Sequence, residues 1–496
     1  MNCRSWVILI LSLVGAILIV IGAVLGFKVL PDYVHDQIAE QVRLEDDTEQ
    51  FERWRKLPVD MAFKVYIFEI TNPEEVIAGT EKPNVKERGP YVYNESREKT
   101  GISRNKTADT LTYKQYQQYS FNKEASGINT EEDEFYVLNT PLIGAFQTID
   151  LMGGFGSLVN DVWEGAFSDH QILGPFIKIK VKDYLFGGLV FCTDLTNSMC
   201  GLVTETSKQM KNLEITPEGY ISFSFFKFKQ NAHDGEYVIK AGMDVVEDLG
   251  LIENWEQTTK LDTWEDDGEC NTIRGRDSSI YPPYIEEEDE FDIYSTDICR
   301  VVRLEYKREE EYKGVTGQRR HLKQDTLTNT GSNSCFCTKY TATLEGSRDE
   351  CLPNGFVDLF TCLKASVILS FPHFLWADKD TAATVTGLTP DEDKHITFVN
   401  VEPGTGYPLQ GSKRVQFNMI LRPIKGIDMT QTLTPAMVPL IWIDEGVELT
   451  DDLIDELDEK YLSKLVLVDA VTWTLIAVGI VLFLVFGCWF IFKKKK

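Results

Sequence analysis

Two long apolar runs close the ends of this chain and confine everything else to the stretch between them. The first runs from about Trp6 to Leu30, WVILILSLVGAILIVIGAVLGFKVL, and the second from about Ala470 to Phe492, AVTWTLIAVGIVLFLVFGCWFIF. At 1.5 Å of rise per residue, each is long enough to cross about 30 Å of hydrocarbon. Lipid offers backbone N–H and C=O groups no water to bond, so such runs must be helices. A cleaved signal peptide is the rival reading of the first run. That run is longer than a usual signal core, however, and no small-residue cleavage site ends it, so an uncleaved anchor is expected.

Charge sets the expected orientation. Arg4 precedes the first span and Lys493 to Lys496 follow the second. Positive flanks stay cytoplasmic. The expected plan is a cytoplasmic start at 1–5, a span at 6–30, one exterior or luminal domain at 31–469, a span at 470–492 and a cytoplasmic end at 493–496. The plasma membrane is the expected location, with an endosomal or lysosomal membrane as the alternative. The terminal lysines sit against the membrane, where a coat protein cannot easily read them as a retrieval signal, so they are expected to act as a stop-transfer anchor. No tyrosine-based or dileucine sorting signal follows the second span.

The formal net charge is −27, and five of the cations lie at the membrane ends, so the central domain is more acidic still. Such a surface repels nucleic acid, heparin-like polymers and anionic bilayers. Of the ten cysteines, Cys3 and Cys488 lie near the cytoplasmic ends of the spans and are palmitoylation candidates, an inert thiol being the equal alternative. The other eight are Cys192, Cys200, Cys270, Cys299, Cys335, Cys337, Cys351 and Cys362. An even number in an exported domain reads as disulfides. Zinc is the competitor, but no CxxC pair occurs, and Cys335-Phe336-Cys337 is too tight for the usual ligand spacing. Two glycosylation sequons, at Asn94 and Asn105, agree with export.

Between the spans the pattern is mostly β. Val65 and Ile67 alternate with Tyr66 and Phe68 before the turn at Thr71-Asn72-Pro73. Tyr91 to Tyr93, Ile221 to Phe228 and Val415 to Leu421 also read as strands, the last with Val415, Phe417, Met419 and Leu421 on one face. Pro31 and Asp32 open a helical stretch with Val34, Ile38 and Val42 on one side, and a second follows around Phe51 and Trp54. From about Pro141 to Tyr184 the chain is glycine-interrupted and rich in apolar residues, and reads as a helical insertion. Near the end, Thr450 is placed to cap a helix. No internal repeat or long linker divides the chain, so one continuous ectodomain is expected.

Catalytic motifs fail on inspection. Gly406 to Lys413 imitates a phosphate loop, but Ser412 precedes Lys413 where the lysine should come first. Gly153 to Ser157 is not a nucleophile elbow. The six histidines form no HExxH pair, and the acidic run Glu286 to Glu290 lacks a calcium-loop pattern. Neither catalytic residues, a metal nor a cofactor is expected.

Several segments together resemble the class B scavenger receptor family. They are Tyr66-Ile67-Phe68-Glu69-Ile70-Thr71-Asn72-Pro73, Val85-Lys86-Glu87-Arg88-Gly89-Pro90-Tyr91, Ile280-Tyr281-Pro282-Pro283, Ser295-Thr296-Asp297-Ile298-Cys299-Arg300, Cys335-Phe336-Cys337, Phe371-Pro372-His373-Phe374, Gly387-Leu388-Thr389-Pro390, Lys413-Arg414-Val415-Gln416 and Val438-Pro439-Leu440-Ile441-Trp442. Their order covers essentially the whole chain. Within the family, the runs Asp267 to Thr272 and Asp444 to Val447 and the extra pair Cys192 and Cys200 resemble the insect sensory neuron membrane proteins. The resemblance implies an α+β fold: a large ectodomain with an antiparallel β-barrel-like core, short helices and a helical apex at about 141–184, flanked by the two transmembrane helices.

It further implies a hydrophobic tunnel that carries lipids toward the bilayer, and the pairs Cys270–Cys335, Cys299–Cys362 and Cys337–Cys351, with Cys192–Cys200 as an added local bridge. The apical stretch Asp161 to His170 is acidic where some members are lysine-rich, which argues against anionic particles as ligands. Phe155, Trp163 and Phe167 are the candidate ligand-entry residues there, packing of the apical helices being their competing role. The function implied is a non-catalytic receptor for lipids or fatty-acid-derived hydrophobic ligands, passing them to the membrane or to a neighbouring odorant receptor. An endocytic scavenger or a lipid- or carotenoid-uptake receptor is the alternative.

Overall fold

The computed structural model describes residues 3–153, 156–160, 162–265 and 269–494. Two helices of membrane-crossing length and composition stand at its ends, Trp6–Val42 (37 residues) and Asp451–Trp489 (39 residues). They lie against each other as an antiparallel pair, brought close by glycine. A Cβ at Gly15 would lie 2.5 Å from the Phe483 nitrogen, and one at Gly26 would lie 1.9 Å from Thr472 Cγ2. Lipid provides no hydrophobic drive between helices, so close backbone approach through small residues is what holds such a pair. Because Gly15 meets Phe483 and Gly26 meets Thr472, both chain ends leave at the same end of the pair. Trp6, Leu13, Val20, Phe27, Trp473 and Leu484 keep their side chains exposed on the outer faces, as a lipid solvent allows.

The first helix does not restart at Pro31. It continues to Val42 through a π-turn at Leu25–Val29. Proline lacks the N–H that an unbroken α-helix would need there, and the wider turn just before it takes up the missing bond. Ile38 and Val42 are buried on the side facing the ectodomain. Thr450 stands at the start of the last helix as expected, but its hydroxyl makes no capping bond; its carbonyl accepts from Ile454 N at 3.1 Å instead.

Eleven strands make the body of the ectodomain: β1 (Met61–Ile70), β2 (Val85–Asn105), β3 (Thr110–Phe121), β4 (Ala232–Lys240), β5 (Ile252–Trp255), β6 (Phe291–Ser295), β7 (Arg300–Tyr312), β8 (Val315–Leu322), β9 (Phe398–Val401), β10 (Pro408–Leu421) and β11 (Ala436–Glu448). They run in the order β5-β4-β3-β2-β1-β11-β10-β9-β8-β7-β6, all antiparallel, with short strands Val357–Asp358 and Ile368–Ser370 added beside β10. The first and last strands of the ectodomain therefore pair at the centre, Val65 opposite Ile443 and Tyr66 opposite Trp442.

The two outer strands do not remain free edges. Ile252 N on β5 donates to Gly275 O at 2.8 Å. Arg276 N donates to Asp292 O at 2.9 Å, and Tyr294 N on β6 to Arg276 O at 3.0 Å. The segment around Arg276 thus bridges β5 to β6 and closes the sheet into a barrel, which removes the open edges. Gly275 has φ +89°, and a Cβ there would lie 2.1 Å from Asp292 O, so only glycine lets the strands meet. Helices Leu30–Val42 and Glu49–Arg55 pack Ile38, Val42 and Trp54 against Leu111, Tyr113, Tyr237 and Ile239 at one end of this barrel.

The apical region is less helical than its sequence suggests. Helix Thr140–Leu151 is capped by Asn139, whose side chain accepts from Leu142 N at 3.3 Å. Strand Phe176–Lys180, however, lies within the stretch expected to be helical and pairs with Glu134–Leu138 and Ile172–Leu173. Its buried Ile177 and Ile179 alternate with half-buried Lys178 and Lys180, a period of two that glycine-rich neighbours obscure. The strand expected over Ile221 to Phe228 stops at Phe223, because Phe225 and Phe226 are both buried and break the alternation.

Candidate functional site

Closure of the barrel leaves a cavity of about 350 Å³ inside it. Lining residues follow the period of two along the strands: Arg97 and Lys99 on β2; Tyr113, Gln115 and Gln117 on β3; Gly411, Lys413, Val415 and Phe417 on β10; Ile443, Glu445 and Val447 on β11. Val302, Leu304, Leu322, Val399, Val415 and Phe417 make one wall apolar. The volume falls in the range of small-molecule sites. Gln209 and Lys211, both exposed, also line it, so the cavity opens to the exterior beside them. A second hollow of about 10 Å³ beside Cys337–Cys351 holds no more than a water-sized guest.

Charged side chains share the cavity lining with these apolar ones. Asp297 accepts from Lys229 Nζ at 2.6 Å and from Lys413 Nζ at 2.5 Å. Lys413 also lies 3.1 Å from Glu445. Arg97 donates to Glu95 at 2.6 Å and reaches Glu445 as well. Burial opposes the charge on Asp297, yet the ammonium groups of Lys229 and Lys413 hold its carboxyl well below the usual range. The cavity is therefore amphipathic, suited to a ligand with a long apolar body and a polar end.

Asp297 and Lys413 stand in two segments that carry the family resemblance, and they meet here. A second polar node joins four more. His373 Nε2 lies 2.6 Å from Glu87 Oε2, and Trp442 Nε1 donates to the same oxygen at 2.7 Å. Tyr66 stacks on Trp442 with ring centroids 3.9 Å apart, and His395 stacks on His373 at 4.4 Å. The node ties β1, β2 and β11 to the Phe371–Phe374 turn.

The structure forms four disulfides among the described residues: Cys192–Cys200, Cys270–Cys335, Cys299–Cys362 and Cys337–Cys351, the pairs that the resemblance implies. Cys362 lines the cavity. Cys488 is exposed on the second membrane helix, and the side chain of Cys3, like Phe155, lies outside the described residues. Phe167 is a packing residue: it is 1% exposed and stacks on Phe191 at 4.8 Å. Trp163 is half-buried against the same core. Neither lines the cavity.

The two sequons differ. Asn105 is exposed at the β2–β3 turn, where its Oδ1 accepts from Thr107 N at 3.1 Å. Asn94 is half-buried inside β2, paired with Ala62 on one side and Ser120 on the other, and its Oδ1 accepts from Asn122 Nδ2 at 2.8 Å.

Cys362 apart, the sequence pattern does not mark the cavity-lining residues as a site. Arg97 and Lys99 alternate with Glu98 on β2 and look like a solvated face. The available signal was the short charged helix with Phe51 and Trp54: such rings must lie on something, and Trp54 covers Lys99.

Two membrane-length helices bracketing one closed barrel with an amphipathic cavity define a two-span membrane protein built to carry a single large domain beside the bilayer. Comparison of the chain with family models fits this architecture. Residues 13–490 match the CD36 family, and the chain belongs to it. It is 34% identical to sensory neuron membrane protein 2 of Anopheles gambiae, over 95% of this chain and 90% of that protein. It is 30% identical to sensory neuron membrane protein 2 of Drosophila melanogaster over 95% of each. With sensory neuron membrane protein 1 of Manduca sexta it shares 29% identity over 94% of this chain and 88% of that one. It is a scavenger-receptor-like membrane protein.

Proposed function

We propose that this chain is a non-catalytic receptor that binds one lipophilic ligand in its barrel and delivers it to the membrane or to a neighbouring receptor in insect chemosensation. The observation that carries the reading is the cavity of about 350 Å³ in the barrel, lined by both apolar and charged side chains. An apolar ligand gains about 0.8 kcal/mol for each CH₂ removed from water, so enclosure supplies affinity without a covalent step. The names of the relatives support a sensory setting. The positive flanks favour cytoplasmic termini, which would put the barrel on the exterior or luminal side; the plasma membrane is the reading proposed, with an endosomal or lysosomal membrane as the alternative.

Native mass spectrometry of the full chain in lipid nanodiscs tests this. A copurifying lipid, or binding of added dodecanol that Val415→Trp abolishes, is the expected result. Dodecanol binding that ignores Val415→Trp would place the ligand elsewhere and sink the proposal.

A further inference from the structure

Four cations line the inner wall of the cavity: Arg97, Lys99, Lys229 and Lys413. Three are held by carboxylates, as described above. Lys99 is not. It is 4% exposed, donates one hydrogen bond to Trp54 O at 3.1 Å, and lies over the rings of Trp54 at 5.1 Å and Tyr113 at 5.4 Å. Among the described residues no carboxylate comes within ion-pair distance of its nitrogen.

The groups facing it are Trp54 from helix Glu49–Arg55, Arg97 on β2, Tyr113 and Gln115 on β3, Asp234 and Tyr237 on β4, and Asp277 on the closing segment. Tyr237 donates to Asp234 at 2.8 Å and Tyr113 donates to Asp277, so each carboxylate is engaged elsewhere. Burial pulls the Lys99 ammonium down to about 8, against the fields of Asp277 and Asp234. A buried amine without a fixed counter-ion is the form in which lysine becomes a nucleophile.

We infer that Lys99 captures a lipophilic aldehyde inside the barrel as a reversible imine, an inference that rests on the barrel being the ligand site. The free amine attacks the carbonyl carbon, a C–N bond forms, and the carbonyl oxygen departs as water. The balance is RCHO + R′NH₃⁺ → RCH=NHR′⁺ + H₂O, with no oxidant or reductant. Charge decides between aldehyde and acid. The protonated imine leaves one positive charge where the ammonium was, so Asp234 and Asp277 keep their field partner. A carboxylate ligand would add a third negative group to the same corner. The apolar side chains take the chain, in a cavity of about 350 Å³, within the range of small-molecule sites. At neutral pH a larger fraction of Lys99 than of an exposed lysine is the free amine, which favours reaction at this site.

The test uses the full chain in nanodiscs, dodecanal as probe, cyanoborohydride to reduce any imine, and peptide mass mapping. The expected result is one dodecyl group on Lys99 at aldehyde levels that leave Lys211 and other exposed lysines unmodified. Labelling should rise between pH 7 and 9 and level off, and excess dodecanol should suppress it. Lys99→Arg and Lys99→Met should lose the label, with the exposed lysines still unmodified. Labelling spread over exposed lysines with Lys99 untouched, in protein that still binds dodecanol, would overturn the imine and leave the cavity reading standing. Loss of dodecanol binding altogether would overturn both.

Discussion

Acidification from pH 7.5 to 5.5 should destabilise this ectodomain through two buried histidines. His321 is 3% exposed and accepts a hydrogen bond at Nε2 from Arg319 Nε at 2.9 Å. His395 is 5% exposed and accepts at Nδ1 from Asp391 N at 3.0 Å. A protonated ring has no lone pair for either bond. Burial pushes both down to about 4, helped by Arg319 beside His321 and by His373 beside His395, and opposed by Glu392, Glu87 and Asp391. In the unfolded chain both titrate near about 6.5. The folded values are depressed for a base, so the unfolded state binds more protons between the two values. The stability is fully present above about 6.5 and falls as pH drops toward about 4. At pH 5.5 the loss is about 1 kcal/mol for each histidine, roughly 2–3 kcal/mol together. Thermal melting of the full chain in nanodiscs should show a fall of a few degrees between pH 7.5 and 5.5. His395→Gln and His321→Gln should each remove about half of that slope, whatever they do to the absolute midpoint. A midpoint independent of pH over this range, or a slope that survives the double variant, would refute the reasoning.

Three further outcomes are expected. Asn105→Gln should remove one glycan from protein made in insect cells, read as a gel shift, while Asn94→Gln should change nothing, because Asn94 is locked in a central strand. Gly26→Leu would drive a side chain into Thr472 and should separate the membrane helices, read as loss of disulfide crosslinking between cysteines placed at Gly22 and Leu475, where a Cβ at Gly22 would lie 3.2 Å from Leu475 Cβ. Asp297→Asn leaves Lys229 without its carboxylate partner and should cost about 2 kcal/mol, between the surface and fully buried limits for a broken pair. Adding Lys229→Met should restore part of that in a thermal melt.

The legible parts of the sequence were those where one physical rule acts alone. An apolar run longer than twenty residues has only one stable form in lipid, so both spans could be read directly, although the first helix continues through Pro31 to Val42. Val65, Ile67, Val415 and Phe417 lie in strands where alternation placed them. Cysteine spacing could say that bridges exist but not which, since many pairings share the same count. The apex failed because Gly153, Gly156 and Gly165 masked a two-residue period that begins at Phe176.

The cavity failed for a different reason. Alternation separates apolar from polar faces, and it identifies the inside only when the inside is apolar. On β2 the inward residues are Arg97 and Lys99, so the rule points the wrong way. That inversion carries information of its own. A barrel could have been filled with leucine at no electrostatic cost, and burying charge carries a penalty that pairing seldom exceeds. Arg97, Lys229 and Lys413 offset that penalty with carboxylates, but Lys99 keeps it. A buried cation that, among the described residues, has no carboxylate partner and lies over two aromatic rings beside an apolar hollow is stable enough to persist and poorly enough satisfied to react, which a residue serving packing alone has no need to be.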